Sequence, residues 1–246
     1  MPPLFWESDF MINADITGIG WLTADGMGCG RDNRRFAMTR GPLPEIKPTD
    51  IFKDPYPSFR RLDEFSRLGV AAIAFALRDA GLEIWTEKRD IGIIASSVYG
   101  CLRTDVDFYD TVLSSSGLAA SPALFSYTLS NSFLGEAAIR FGLTGGSFVI
   151  NEPHPAGRLC LQTALDYLAG GSLQKILAGV CDLDCPPIFD SQGSPPPGAL
   201  FFMIENCPSN QSLSYGKLAL DRDGNLLFNG SETPDFYLLF QKCLAG

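Results

Sequence analysis

Four short apolar runs constrain this chain more than any other feature. They are DIGIIASS at 90–97, SFVIN at 147–151, KILAGV at 175–180 and LFFMIE at 200–205. Each is too short for a helix and rich in β-branched or aromatic residues, so each reads as a strand. Helical patterns fill the gaps between the first three. Asp105–Leu113 reads as a helix, and so does Ser130–Phe141, closed by Gly142. Another runs from about Ala156 to Leu168, with Gly170–Gly171 as its stop. Upstream, Phe59–Gly81 is the strongest helical segment, with Leu62, Phe65, Leu68, Ala72, Phe75 and Ala76 on one face. Asp15–Trp21 reads as an opening strand and Lys217–Leu220 as a weak late one. Residues 24–60 have no sustained period and read as irregular, and the proline runs of 186–197 read as a loop. Strands that alternate with helices in this way predict a layered α/β sheet with helix cover.

At 246 residues, 46% of them hydrophobic, the chain can bury one sizeable core, so a single domain over 1–246 is expected. The net charge of −9 gives no electrostatic support for nucleic-acid binding. It is also a poor match for an acidic carrier protein in the absence of a local basic patch. The simplest reading of the charge is solubility. Seven scattered cysteines without a signal peptide predict reduced thiols in a cytoplasmic protein. Cys181 and Cys185 lie four apart, but one histidine in the whole chain makes buried packing a better reading than zinc. No metal and no cofactor are expected. No apolar run reaches the length of a membrane span, and the opening MPPLFWESDF lacks a secretory layout.

Few residues suggest chemistry by themselves. Gly18, Gly20, Gly26, Gly28 and Gly30 follow a strand, yet their spacing fits no phosphate-binding loop, and tight-turn glycine is the preferred reading. Ser96 and Ser97 belong to no nucleophile elbow. Glu152 and Asp182 could move a proton, although capping of a helix start or plain exposure is the commoner role.

Five segments, in order and at compatible spacing, resemble one family. ITGIGWLTADG (16–26) resembles the opening of β-ketoacyl synthases. RLDEFSRLGVAAIAFALRDAGL (61–82) resembles their first long helix, and DIGIIASSVYGCLRTDVDFYDTV (90–112) the strand, glycine turn and helix that follow. LSNSFLGEAAIRFGLTGGSF (129–148) is similar to the segment leading to their nucleophile, and KILAGVCDL (175–183) to the strand after it. The resemblance covers roughly residues 14–205 and leaves 206–246 as a divergent tail. It implies a thiolase-like α-β-α fold, mostly the amino-terminal half of the ketosynthase fold.

In that family a cysteine sits at the strand-to-helix turn after this point. Laid alongside, this chain reads Ile150-Asn151-Glu152-Pro153-His154-Pro155-Ala156, so the resemblance puts His154 at the nucleophile position. A cysteine at a helix amino terminus is held toward thiolate by the dipole and the free amides. An acyl-imidazole hydrolyses readily, so His154 is a poor acyl carrier. Cys160 lies six residues later and reads as a packing residue two turns into the helix. Condensation in the family also uses two histidines, or a histidine and an asparagine, from the carboxyl-terminal half. His154 is the one histidine here, so that set cannot be assembled within this chain. The last segment, NGSETPDFYLLFQKCLAG (229–246), is faintly similar to the family's HGTGTP stretch, which would set Asn229 in place of a histidine.

The resemblance therefore implies a ketosynthase-like subunit without condensing activity, similar to a chain-length factor of fatty acid or polyketide (polyene-type) biosynthesis. Its expected partner is a ketosynthase-like chain or a second copy, with an acyl carrier protein as a further candidate. An unpaired sheet edge and the apolar 199–204 strand are expected to face that partner. Two alternatives are an enzyme that decarboxylates or hydrolyses acyl-carrier thioesters with His154, and a solitary acyl-binding module.

Overall fold

The computed structural model describes residues 12–32, 34–114, 116–153, 157–186, 189, 194–206, 208, 213–233 and 235–245. Its strands are β1 (Ile12–Thr23), β2 (Gly26–Cys29), β3 (Ile91–Ser97), β4 (Ser147–Asn151), β5 (Lys175–Asp182), β6 (Gly198–Glu205), β7 (Gly216–Leu220), β8 (Leu226–Phe228) and β9 (Ser231–Glu232). The helices are α1 (Pro48–Ile51), α2 (Glu64–Asp79), α3 (Leu102–Ser114), α4 (Pro122–Phe125), α5 (Ser132–Phe141), α6 (Arg158–Ala169) and α7 (Phe236–Ala245).

One mixed sheet runs in the order β4-β3-β5-β6-β1-β7-β8-β9, with β2 paired to β1. β3 is parallel to β4 and β5, whereas β6 is antiparallel to both β5 and β1. On one face, α2 and α5 pack into a core containing Phe65, Phe75, Phe133 and Phe201. On the other, α6 and α7 enclose Trp21, Leu161, Phe202 and Phe240. The expected α-β-α layering is present.

Boundaries follow local chemistry. Pro57–Arg61 forms a 3-10 turn, and Asp63 then accepts the Ser66 N–H, so α2 starts at Glu64 and not at Phe59. The 24–60 stretch also holds β2 and α1 and is not wholly irregular. Helix α5 ends where Gly142 takes the left-handed conformation.

Two sequence readings need correction. Gly18 and Gly20 are strand residues, not turn residues. A Cβ on Gly20 would meet the Ala76 amide nitrogen at 2.2 Å, and one on Gly18 the Ala76 carbonyl at 2.5 Å. The backbone of α2 lies directly on β1 because these side chains are missing. The apolar run 199–204 does not face a partner either. It lies in β6, hydrogen-bonded on both sides and buried along its whole length. The tail adds more than its one weak strand: β7, β8 and β9 extend the sheet beyond β1, and α7 covers it.

No helix among the described residues is long and apolar enough to cross a membrane. Six cysteines are free thiols and five of them are buried. Cys207 lies outside the described residues.

Candidate functional site

The carboxyl ends of the parallel strands β3, β4 and β5 form one cluster. Ser96 and Ser97 close β3, Asn151 closes β4 and leads into Glu152, and Asp182 closes β5. Parallel pairing places Ser97 beside Asn151 and Ser96 beside Val180. Crevices at such strand ends are where open α/β sheets bind ligands. His154 lies outside the described residues, as do Pro155 and Ala156. Helix α6 begins at Arg158 and not at Ala156, with Gly157 as its cap.

Glu152 is tied down at its N–H and at both carboxylate oxygens. Its N–H donates to the Ser97 carbonyl at 3.1 Å. Its Oε2 accepts Ser96 Oγ–H at 2.6 Å and Gly157 N–H at 2.9 Å, and its Oε1 accepts Leu159 N–H at 2.9 Å. Of the roles open from sequence, capping is the one the geometry realises. Gly157 has φ +98°, and a Cβ there would strike Phe236 and Val180 at 2.7 Å, so the turn demands glycine twice over.

Asp182 is not exposed: it retains 4% of its accessible surface. Its carboxylate accepts Ser97 Oγ–H at 2.8 Å and the amides of Val98 and Tyr99 at 2.9 and 3.0 Å. Burial nevertheless pushes its carboxyl up to about 6, with these hydrogen bonds opposing the shift. The two serines set aside from sequence are thus partners of the two acids, a relation between residues 56 and 85 positions apart. Only strand order could have revealed it.

Beside Asp182 lies a cavity of about 370 Å³, walled by Met38, Val180, Leu200, Phe236 and Tyr237, with Asp235 at its edge. Asp235 accepts the Leu238 N–H at 2.7 Å near the start of α7. Tyr99 and Ser194 hydroxyls meet at 2.7 Å beside the Pro195–Pro196 wall. The size is at the lower end of small-molecule sites.

Cys160 supplies no nucleophile. It is fully buried in the first turn of α6, one turn earlier than expected, and burial pushes its thiol up to about 12. Cys181 is buried as well, its thiol raised well above the ordinary value by burial, while Cys185 is half-buried. Asn229 sits elsewhere. Its Oδ1 accepts the Lys217 N–H at 2.8 Å, and Lys217 pairs with Asp15 at the start of β1. Asp182 faces Gly198, which faces Thr23 at the other end of β1. The intervening strand length is about 25 Å, so Asn229 does not join the cluster. No group of three or more metal-ligating side chains occurs among the described residues.

Comparison with known proteins adds a family profile. The model described as "Beta-ketoacyl synthase, N-terminal domain" matches residues 47–189, more than half of the chain. No curated protein matches the chain in sequence. Among solved structures, "The ishigamide ketosynthase/chain length factor" is similar with 17% identity and a TM-score of 0.67, over 85% of this chain and 62% of that one. A ketosynthase (ApeO) in complex with its chain length factor (ApeC) from Xenorhabdus doucetiae matches with 19% identity and a TM-score of 0.60, over 80% of each chain. AntDE:AntF, a type II PKS acyl-carrier protein in complex with its ketosynthase, matches with 17% identity and a TM-score of 0.65, over 86% and 71%. Likeness at these identities concerns the fold.

Proposed function

Because this chain belongs to the β-ketoacyl synthase family, we propose that it is a non-catalytic ketosynthase-like subunit, akin to a chain-length factor in polyketide (polyene-type) or fatty acid assembly. In this reading residues 1–246 form one amino-terminal-like domain, with 206–246 as its divergent part, and a ketosynthase-like chain is the partner. Carrier protein is engaged through that partner, since a chain of net charge −9 repels an acidic carrier.

The open edge of β4 carries the proposal. Among the described residues β4 pairs with β3 alone, and an edge strand of this kind is a template for a further strand. Apolar side chains flank it. α5 packs against β4 and exposes Ile139 at 78%, and α6 exposes Leu159 and Tyr167, the latter in ring contact with Phe148 of β4. In and just after α4, Phe125 and Leu129 are also exposed. A surface of this kind marks a protein interface more readily than an isolated apolar residue does. The neighbours described as ketosynthase–chain length factor pairs support the same reading.

Co-expression with a full-length ketosynthase tests it: the two chains should co-purify and co-elute. A monomer at micromolar concentration that ignores ketosynthases would sink the proposal. The cavity beside Asp182 favours a second reading, a solitary acyl-binding module, and lipid copurifying with a monomer would decide for it.

A further inference from the structure

Strand register sets the floor of the cavity beside Asp182. Val180 faces Leu200, and Asp182 faces Gly198, across β5 and β6. Residues two apart share a face of a sheet, so all four lie on the side that α7 covers. Gly198 puts no side chain next to the carboxylate. Phe236 and Tyr237, at the start of α7, supply aromatic walls, and Asp235 adds a second carboxylate. Its Oδ1 accepts the Leu238 N–H at 2.7 Å, which holds it there.

The lining thus combines apolar and aromatic side chains with two acids. Among the described residues no lysine or arginine lines it, and the stretch 183–199 contains none. Arg40, which reaches the neighbouring loop, donates to the Ser194 carbonyl. A free carboxylate or phosphate in this cavity would meet like charges without a counterion. An ammonium group would meet two carboxylates and aromatic rings, and both attract cations. Asp182 is also short of compensation. Three donors reach its carboxylate, yet burial keeps it up at about 6.

We propose that this cavity binds a small apolar amine, its ammonium toward Asp182 and Asp235 and its hydrocarbon against Leu200, Met38 and the Pro195–Pro196 wall. At about 370 Å³ the space admits a compact body and not a long chain. The inference goes beyond the subunit reading and does not depend on it.

Titration calorimetry at neutral pH tests it with three ligands of similar shape: 2-phenylethylamine, 2-phenylethanol and 3-phenylpropionate. The amine should bind at least about tenfold more tightly than the alcohol, and the carboxylate most weakly. Asp235→Asn keeps a capping side chain and should weaken the amine several-fold while leaving the alcohol unchanged, and Asp182→Asn should do the same. An amine that binds no better than the alcohol, a preference for the carboxylate, or no binding of any of the three at millimolar concentration would overturn the proposal. So would an amine affinity that either substitution leaves unchanged, since the amine would then sit elsewhere on the acidic surface. If Asp182→Asn does not fold, the ligand series and Asp235→Asn decide. No partner chain enters these measurements, so their failure would leave the subunit reading to the co-purification test.

Discussion

Strands β6 and β4 make an instructive pair. LFFMIE in β6 is by far the more apolar, and SFVIN in β4 is bracketed by Ser147 and Asn151. Hydrophobicity alone marks β6 as the strand seeking a partner. Yet β6 is buried between β5 and β1, while β4 is half-buried at the sheet edge, with no strand on its other flank among the described residues. A run of unbroken apolar residues signals burial on both faces within its own sheet. An edge that must be stable alone and still receive another chain carries a milder pattern. The strand suited to association is therefore the less hydrophobic one.

Substitutions can break this contrast, beginning inside. Phe202 of β6 is fully buried, its ring centroid within 5 Å of the tilted rings of Phe236 and Phe240. Phe202→Ala should cost about 3–5 kcal/mol in urea unfolding. A cost near that of a surface change would mean that β6 is not the centre of the sheet.

Asp182, beside β6 at Gly198, should give the next largest effect. Its carboxyl stands at about 6 in the fold against an ordinary 3.8. The folded chain thus holds a proton that the unfolded chain releases, so stability falls as pH rises from about 4 to about 6 and then levels off. The span amounts to something on the order of 3 kcal/mol. Denaturant melts across this window should show the decline in wild type and its loss in Asp182→Asn.

At the edge the expected pattern reverses. Ile139→Asp should change stability by less than about 0.5 kcal/mol yet weaken association with a ketosynthase-like chain by at least about tenfold, or 1.4 kcal/mol. Sedimentation or titration calorimetry would measure the second number. Undiminished binding would move the interface away from β4. The smallest effect belongs to position 154. His154→Ala should leave turnover of malonyl- and acyl-carrier thioesters unchanged from wild type, with none in either. Any turnover lost with the imidazole would revive the altered-enzyme reading.

The sequence made the elements legible and their adjacency illegible. Strands β3, β4, β5 and β6 and helices α2, α5 and α6 were readable because period and stop signals are local. Gly18 and Gly20 were misread as turn residues because their role depends on a helix some 50 residues later. Ser96 and Ser97 looked idle, since their acceptors, Glu152 and Asp182, arrive through sheet order. Gly157 left no signal in a reading that began the helix two residues too early. The family resemblance drew attention to the turn after β4, and it could not say which polar groups there were already paired.

The place of β1 has a consequence in time. Residues 12–23 find their sheet partners in β6 and β7, at 198–205 and 216–220. A ribosome delivering the chain from its amino terminus therefore leaves β1 with its short β2 hairpin as its one strand pairing until residues 198–220 have emerged. Pairings of such sequence separation form slowly and leave apolar edges open meanwhile. Yield in cells should then depend on chaperone capacity more than on the stability of the finished fold, and slowing synthesis ahead of residue 198 would lengthen the exposure.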